Sequence, residues 1–142
     1  AETYYLDYYE VAEQFQGRGL GKHFLKTLAV ELKKREIRYL EGSLTSPAAL
    51  AVREKVFGFE NLGLRDKTDI PFTLGMEEAL SVLHIEELIL QRGGRSNPDD
   101  VFLLRSIVDL SKVDTSSWPG AIKVLAVPSG THTIRGLLSK LT

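Results

Sequence analysis

Apolar and polar positions along the chain change rhythm several times, and each change marks an element. Residues 2–11 read Glu-Thr-Tyr-Tyr-Leu-Asp-Tyr-Tyr-Glu-Val, rich in β-formers and free of glycine and proline, and predict a strand. Its alternation puts Tyr5, Asp7, Tyr9 and Val11 on one face and Leu6, Tyr8 and Glu10 on the other. After closely spaced glycines, Leu20, Phe24, Leu25, Leu28 and Leu32 recur at helical spacing, predicting a helix from about 20 to 35. Residues 37–44 read as a second strand, a parallel neighbour of the first through a right-handed crossover. Ser46-Pro47 opens a second helix with a cap and a first-position proline, and Gly58 ends it. Residues 59–64 and 70–74 predict a hairpin around the polar turn 65–69, with Pro71 favouring an edge.

Beyond Met76 the chain reads as mostly helical. A strongly apolar helix is expected over 77–91, stopped by Gly93-Gly94 and buried in the domain or in a dimer interface. Asn97-Pro98-Asp99-Asp100 is a helix start, leading a stripe of Leu103, Leu104, Ile107 and Val108 over 99–111. A strand over 121–127 and a short helix over 134–141 complete the reading, with no internal repeat. The expected fold is mixed α/β, a β-α-β-α-β core with a mostly helical extension, divided as 1–76 and 77–142.

Composition narrows the function classes. The 142 residues are 43% apolar, enough for a true core in one ordinary domain. With 18 basic against 19 acidic residues, no charge footprint argues for nucleic acid or an anionic membrane. No apolar run approaches the roughly 20 residues of a membrane helix. Cysteine is absent, which removes disulfides and thiolate chemistry and suits the cytosol. His23, His84 and His132 stand apart without metal-ligand spacing, so no metal is expected. The chain begins on Ala1 rather than methionine, which fits a processed product or a fragment of a longer protein.

The chemistry concentrates at Gln16-Gly17-Arg18-Gly19-Leu20-Gly21, between the first strand and the first helix. The first N–H groups of a helix have no partners and point outward at the positive end of the dipole, so they bind anions. Glycines let main chain approach phosphate oxygens, and Arg18 adds a fixed charge. A Walker-type loop would need Gly-Lys-Ser/Thr where this chain has Gly21-Lys22-His23. A dinucleotide turn needs G-x-G-x-x-G, which the third glycine here does not satisfy.

The segment Val11-Ala12-Glu13-Gln14-Phe15-Gln16-Gly17-Arg18-Gly19-Leu20-Gly21 resembles the acetyl-CoA motif of the GNAT N-acetyltransferase superfamily. That motif runs from a strand-ending valine through four residues to Gln/Arg-x-x-Gly-x-Gly/Ala. Lys33-Lys34-Arg35-Glu36-Ile37 resembles the family's helix end and next strand entry. Ser46-Pro47-Ala48-Ala49 through Gly58-Phe59-Glu60 resembles its second motif, and the likeness covers about residues 3–64. The resemblance implies a cofactor lying where two parallel strands splay apart. Main chain of Tyr9, Glu10 and Val11 would pair with the pantetheine arm, amides from Gln16 to Gly21 would hold the pyrophosphate, and the Ser46 helix would lie alongside. It also implies direct attack of an amine on the acetyl-CoA thioester, with a base, oxyanion donors and an acid for the thiolate.

Three departures qualify what the resemblance implies. The family's second helix carries a tyrosine as general acid; counting from Ser46 that position is Arg53, and counting back from Gly58 it is Glu54. The strands and helices that precede the motif in the family, and that usually build the acceptor site, are missing here. Segments 77–91, 99–111 and 121–127 are candidates to replace them, and a homodimer partner or an associated chain is the other source. The base is open between Asp7 and Glu10, each of which also reads as an ordinary strand carboxylate. Two functions follow: a cytosolic N-acetyltransferase for an unidentified amine, or a catalytically weakened acyl-CoA-binding or assembly module.

Overall fold

The computed structural model describes residues 3–8, 20–93, 102–118 and 130–131. Strand β1 (Thr3–Tyr8) leads to helix α1 (Leu20–Lys34), strand β2 (Tyr39–Ser43), helix α2 (Pro47–Phe57) and strand β3 (Leu64–Asp66). Helix α3 (Met76–Gln91) and strands β4 (Leu104–Asp109) and β5 (Gly130–Thr131) follow. The sheet runs β3-β4-β2-β1-β5. β1 is parallel to β2 and to β5, and β4 is antiparallel to both β2 and β3. The mixed α/β class and the parallel pairing of the first two strands are as the sequence predicts.

Helix limits follow from local chemistry. Ser46 is extended and its Oγ accepts from the Ala49 amide at 3.2 Å, Pro47 opens the helix, and Gly58 turns the chain out at φ 82°. In α1 the last turn carries Lys33 and Lys34 at the negative end of the dipole. α1 and α2 lie against each other, and α3 packs on α2 and β4. Leu25, Leu28, Leu50, Val56 and Leu83 from the helices meet Tyr4, Leu6, Leu40, Leu104 and Val108 from the sheet in one core.

One predicted helix is corrected. Residues 104–109 form a strand between β2 and β3, while 97–101 lie outside the described residues. The stripe Leu103, Leu104, Ile107 and Val108 fits helical spacing, and polar Ser106 hides the alternation of period two. In the structure Leu104, Ser106 and Val108 are the buried set, and the Ser106 hydroxyl donates to the Leu62 carbonyl at 2.7 Å. A buried hydroxyl with a partner is tolerated where an unpaired one is not.

The hairpin forms in reduced shape. Phe59–Asn61 closes as a 3-10 turn, with Asn61 Nδ2 donating to the Phe57 carbonyl at 2.8 Å, so the strand begins only at Leu64. The amides of Asp66 and Phe72 donate to Ile70 and Leu64 around the polar turn, but the main partner of β3 is β4. The expected replacement of the missing family strands by 77–91 and 99–111 is also corrected. α3 lies on α2 and β4, and β4 joins the sheet on the side of β2 away from β1. The segments 121–127 and 134–141 lie outside the described residues.

α3 is buried along one stripe, Ala79, Leu83 and Glu86, and Ile85 is 53% exposed. Fully buried Glu86 accepts from the Leu103 amide at 2.8 Å, tying α3 to the entry of β4. On the sheet's other side Arg38 pairs with Asp109 at 3.1 Å, and the same carboxylate caps the following turn by accepting from the Ser111 amide and hydroxyl.

Ser106→Ala leaves the Leu62 carbonyl with one donor fewer and is expected to lower stability by about 1–2 kcal/mol in urea unfolding. An unchanged midpoint would mean that the Ile107 amide alone satisfies that carbonyl. The Arg38 and Ser111 hydrogen bonds hold the Asp109 carboxyl down at about 2. Because the folded value is depressed, its stabilisation is present above the unfolded value of about 4 and lost as pH falls toward 2. Asp109→Asn is expected to flatten the acid limb of the stability profile across that window.

Candidate functional site: the parting of β1 and β2

The two parallel strands do not stay together. They pair at Thr3–Tyr39, Tyr4–Leu40 and Tyr5–Glu41. On its opposite edge β1 pairs with β5, Leu6 with Gly130 and Tyr8 with Thr131, with a register shift between. β2 continues only with β4, Gly42 opposite Ser106 and Ser43 opposite Arg105. The ladder between β1 and β2 therefore ends after Tyr5 and Glu41, where the strands part as hydrogen-bonding partners although the Leu6 carbonyl still lies against Gly42.

Gly42 sits at this parting on the helix-covered side. A methyl group on it would overlap the Leu6 carbonyl oxygen and fall 2.8 Å from Nη2 of Arg53. Glycine inside a strand often marks a close approach of this kind. Arg53 reaches the spot from α2, whose buried residues Leu50, Arg53, Val56 and Phe57 recur every three or four positions. Arg53 is 4% exposed, whereas Glu54 is only half-buried on the flank of the helix. Of the two positions open from the sequence, Arg53 is the one turned toward the strands. Nearby Tyr4 is buried, and burial pushes its hydroxyl up to about 12, so it stays neutral.

The start of α1 has a second relevant property. Its first turn, Leu20, Gly21, Lys22 and His23, contains no acid. The unpartnered N–H groups there keep their positive potential uncompensated by a carboxylate of that turn.

Of the residues predicted for the site, Leu20 and Gly21 lie in this first turn and Ser46 caps α2. Ser46 Oγ is engaged with the Ala49 amide. Asp7 belongs to β1 by its main chain. Tyr9, Glu10, Val11, Gln16, Gly17, Arg18 and Gly19 lie outside the described residues. Among the described residues no group of His, Asp or Glu is placed to hold a metal ion, and no helix is long and apolar enough to cross a membrane. Sequence reasoning missed Gly42 and the Leu6 carbonyl; an isolated glycine within a predicted strand was the available signal.

Residues 1–59 match the acetyltransferase (GNAT) family model, about two fifths of the chain. The matched stretch contains β1, α1, β2 and α2, and with them both the strand parting and Arg53. Neither a curated protein nor a solved structure matches the chain.

Gly42→Ala forces a methyl group into main chain as well as into the Arg53 side chain. It is expected to lower stability by at least about 2 kcal/mol in urea unfolding. Full retention of stability would mean the Leu6 carbonyl is free to move aside.

Proposed function

We propose that the chain is an N-acetyltransferase that transfers the acetyl group of acetyl-CoA to an amine. The observation that carries this reading is the parting of parallel β1 and β2 within the stretch matched by the acetyltransferase family. Parted strands offer unpaired main-chain groups, and an amide-bearing pantetheine arm can satisfy them. The acid-free first turn of α1 supports the pyrophosphate assignment.

In this reading residues 1–76 bind the cofactor, and β4 from the later half completes their sheet. Main chain of Tyr9, Glu10 and Val11 lines the pantetheine arm. Amides from Gln16 through Gly21, with Arg18, hold the pyrophosphate, and the helix capped by Ser46 runs beside it. Asp7 or Glu10 takes the proton that the ammonium must lose before attack. The acceptor is an amine whose identity depends on segments beyond the matched stretch.

A second reading, a catalytically weakened acyl-CoA-binding module, is favoured by one observation. Of Arg53 and Glu54, the two residues that could stand at the family's proton-donating tyrosine, Arg53 is the buried one, and a guanidinium does not give up its proton.

Acetyl-CoA at 100 times its Kd is expected to add about 2.7 kcal/mol of stability, raising Tm by several degrees in differential scanning fluorimetry. Gly19→Asp sets a carboxylate against the pyrophosphate and should abolish that rise while leaving the unliganded Tm nearly unchanged. Undiminished binding by Gly19→Asp would refute the loop assignment. A Tm rise without turnover across an amine panel would favour the binding module.

A further inference from the structure

The acetyl-CoA reading leaves one chemical difficulty, and the structure suggests its resolution. Acetyl transfer joins the amine nitrogen to the thioester carbonyl carbon and breaks the C–S bond. The electron pair of that bond stays on sulfur, and the nitrogen gives up two protons to solvent or a carboxylate, one as the ammonium before attack and one as the amide forms. A thiolate must therefore leave, either protonated as it goes or stabilised as an anion.

We propose that Arg53 stabilises the coenzyme A sulfur as it leaves as a thiolate, replacing proton donation with a fixed positive charge. The inference rests on the acetyl-CoA reading above. Three observations carry it. The side chain is buried, so its charge acts in surroundings where Coulomb interactions are stronger than in water. It lies over Gly42, at the point where β1 leaves β2 and where the cofactor arm would enter. Its Nη2 lies 2.8 Å from where a Cβ on residue 42 would stand, so the glycine leaves the guanidinium room against the strands. A preorganised charge of this kind lowers the cost of a developing anion without handing over a proton.

The neighbouring ionisable groups do not duplicate the role. Tyr4 on β1 is held neutral by burial. Glu41 on β2 binds Arg105, whereas the buried residues of β2 are Leu40 and Gly42. Glu54 occupies the flank of α2, and His23 lies in the first turn of α1.

The test needs no acceptor. Coenzyme A and its dethio analogue are titrated against the protein over pH by calorimetry, and the bound thiol is followed by its thiolate absorbance. The expected result is a bound thiol titrating about 1–3 units below that of free coenzyme A. Coenzyme A should then tighten about tenfold per pH unit between the bound and free values, while the dethio analogue stays flat. Subtracting that analogue removes His23 and every other protein group. Arg53→Met should return the thiol to its free value, and Arg53→Lys should keep part of the shift. An unshifted thiol in the wild-type protein, or a shift that survives in Arg53→Met, overturns the proposal while leaving the acetyl-CoA reading intact. If Arg53→Met does not fold, Arg53→Gln takes its place and is read in the same way. Failure of both compounds to bind overturns the acetyl-CoA reading itself, and this inference with it.

Discussion

The absence of a side chain at Gly42 is the constraint around which this half of the sheet is arranged. The Leu6 carbonyl and the Arg53 guanidinium both lie in the space a Cβ would take. β1 can therefore leave the ladder after Tyr5, and α2 can bring a cation against the strands without lifting off the core. Burying a guanidinium is costly unless its surroundings answer its charge. Its place on a helix face otherwise made of Leu50, Val56 and Phe57 gives α2 a specific rotation about its axis.

The sheet has two different sides, and the difference bears on the site. The covered side holds the continuous apolar core, interrupted by the satisfied Ser106 hydroxyl and by Arg53. On the opposite side Arg105 joins Glu41 across the strands and reaches Asp69 in the turn after β3. Arg38 and Asp109 pair at the far end. Pairs with such exposure contribute little to stability individually. They do keep that side polar beside Tyr5, which is 46% exposed. At Gly42 the sheet thus has an apolar side that carries the buried Arg53 and an opposite side that is wet and charged.

Legibility divides by the range of the interaction. The limits of α2 were readable because Ser46, Pro47 and Gly58 act within a turn of themselves. The glycine spacing of residues 16–21 stands out in the sequence and falls in the stretch that matches the family, while residues 16–19 lie outside the described residues. The choice between Arg53 and Glu54 was not readable, because one residue of helix phase separates them and packing sets that phase. β4 was misread because its alternation passes through Ser106, whose partner Leu62 lies 44 positions away. Gly42 was visible as a glycine in a strand, but what approaches it was not.

By itself the sequence determined α1, α2 with its Ser46 cap and Gly58 stop, α3, and the β-α-β-α order of the first half. Those features depend on backbone preferences and side chains a few residues apart. Tertiary structure decided that β4 enters between β2 and β3, that the β1–β2 ladder stops after Tyr5 while β5 joins the other edge of β1, and that Arg53 faces Gly42. Each of these depends on hydrogen bonds or close approaches between distant segments. Their energies exist only once the sheet has brought those segments together.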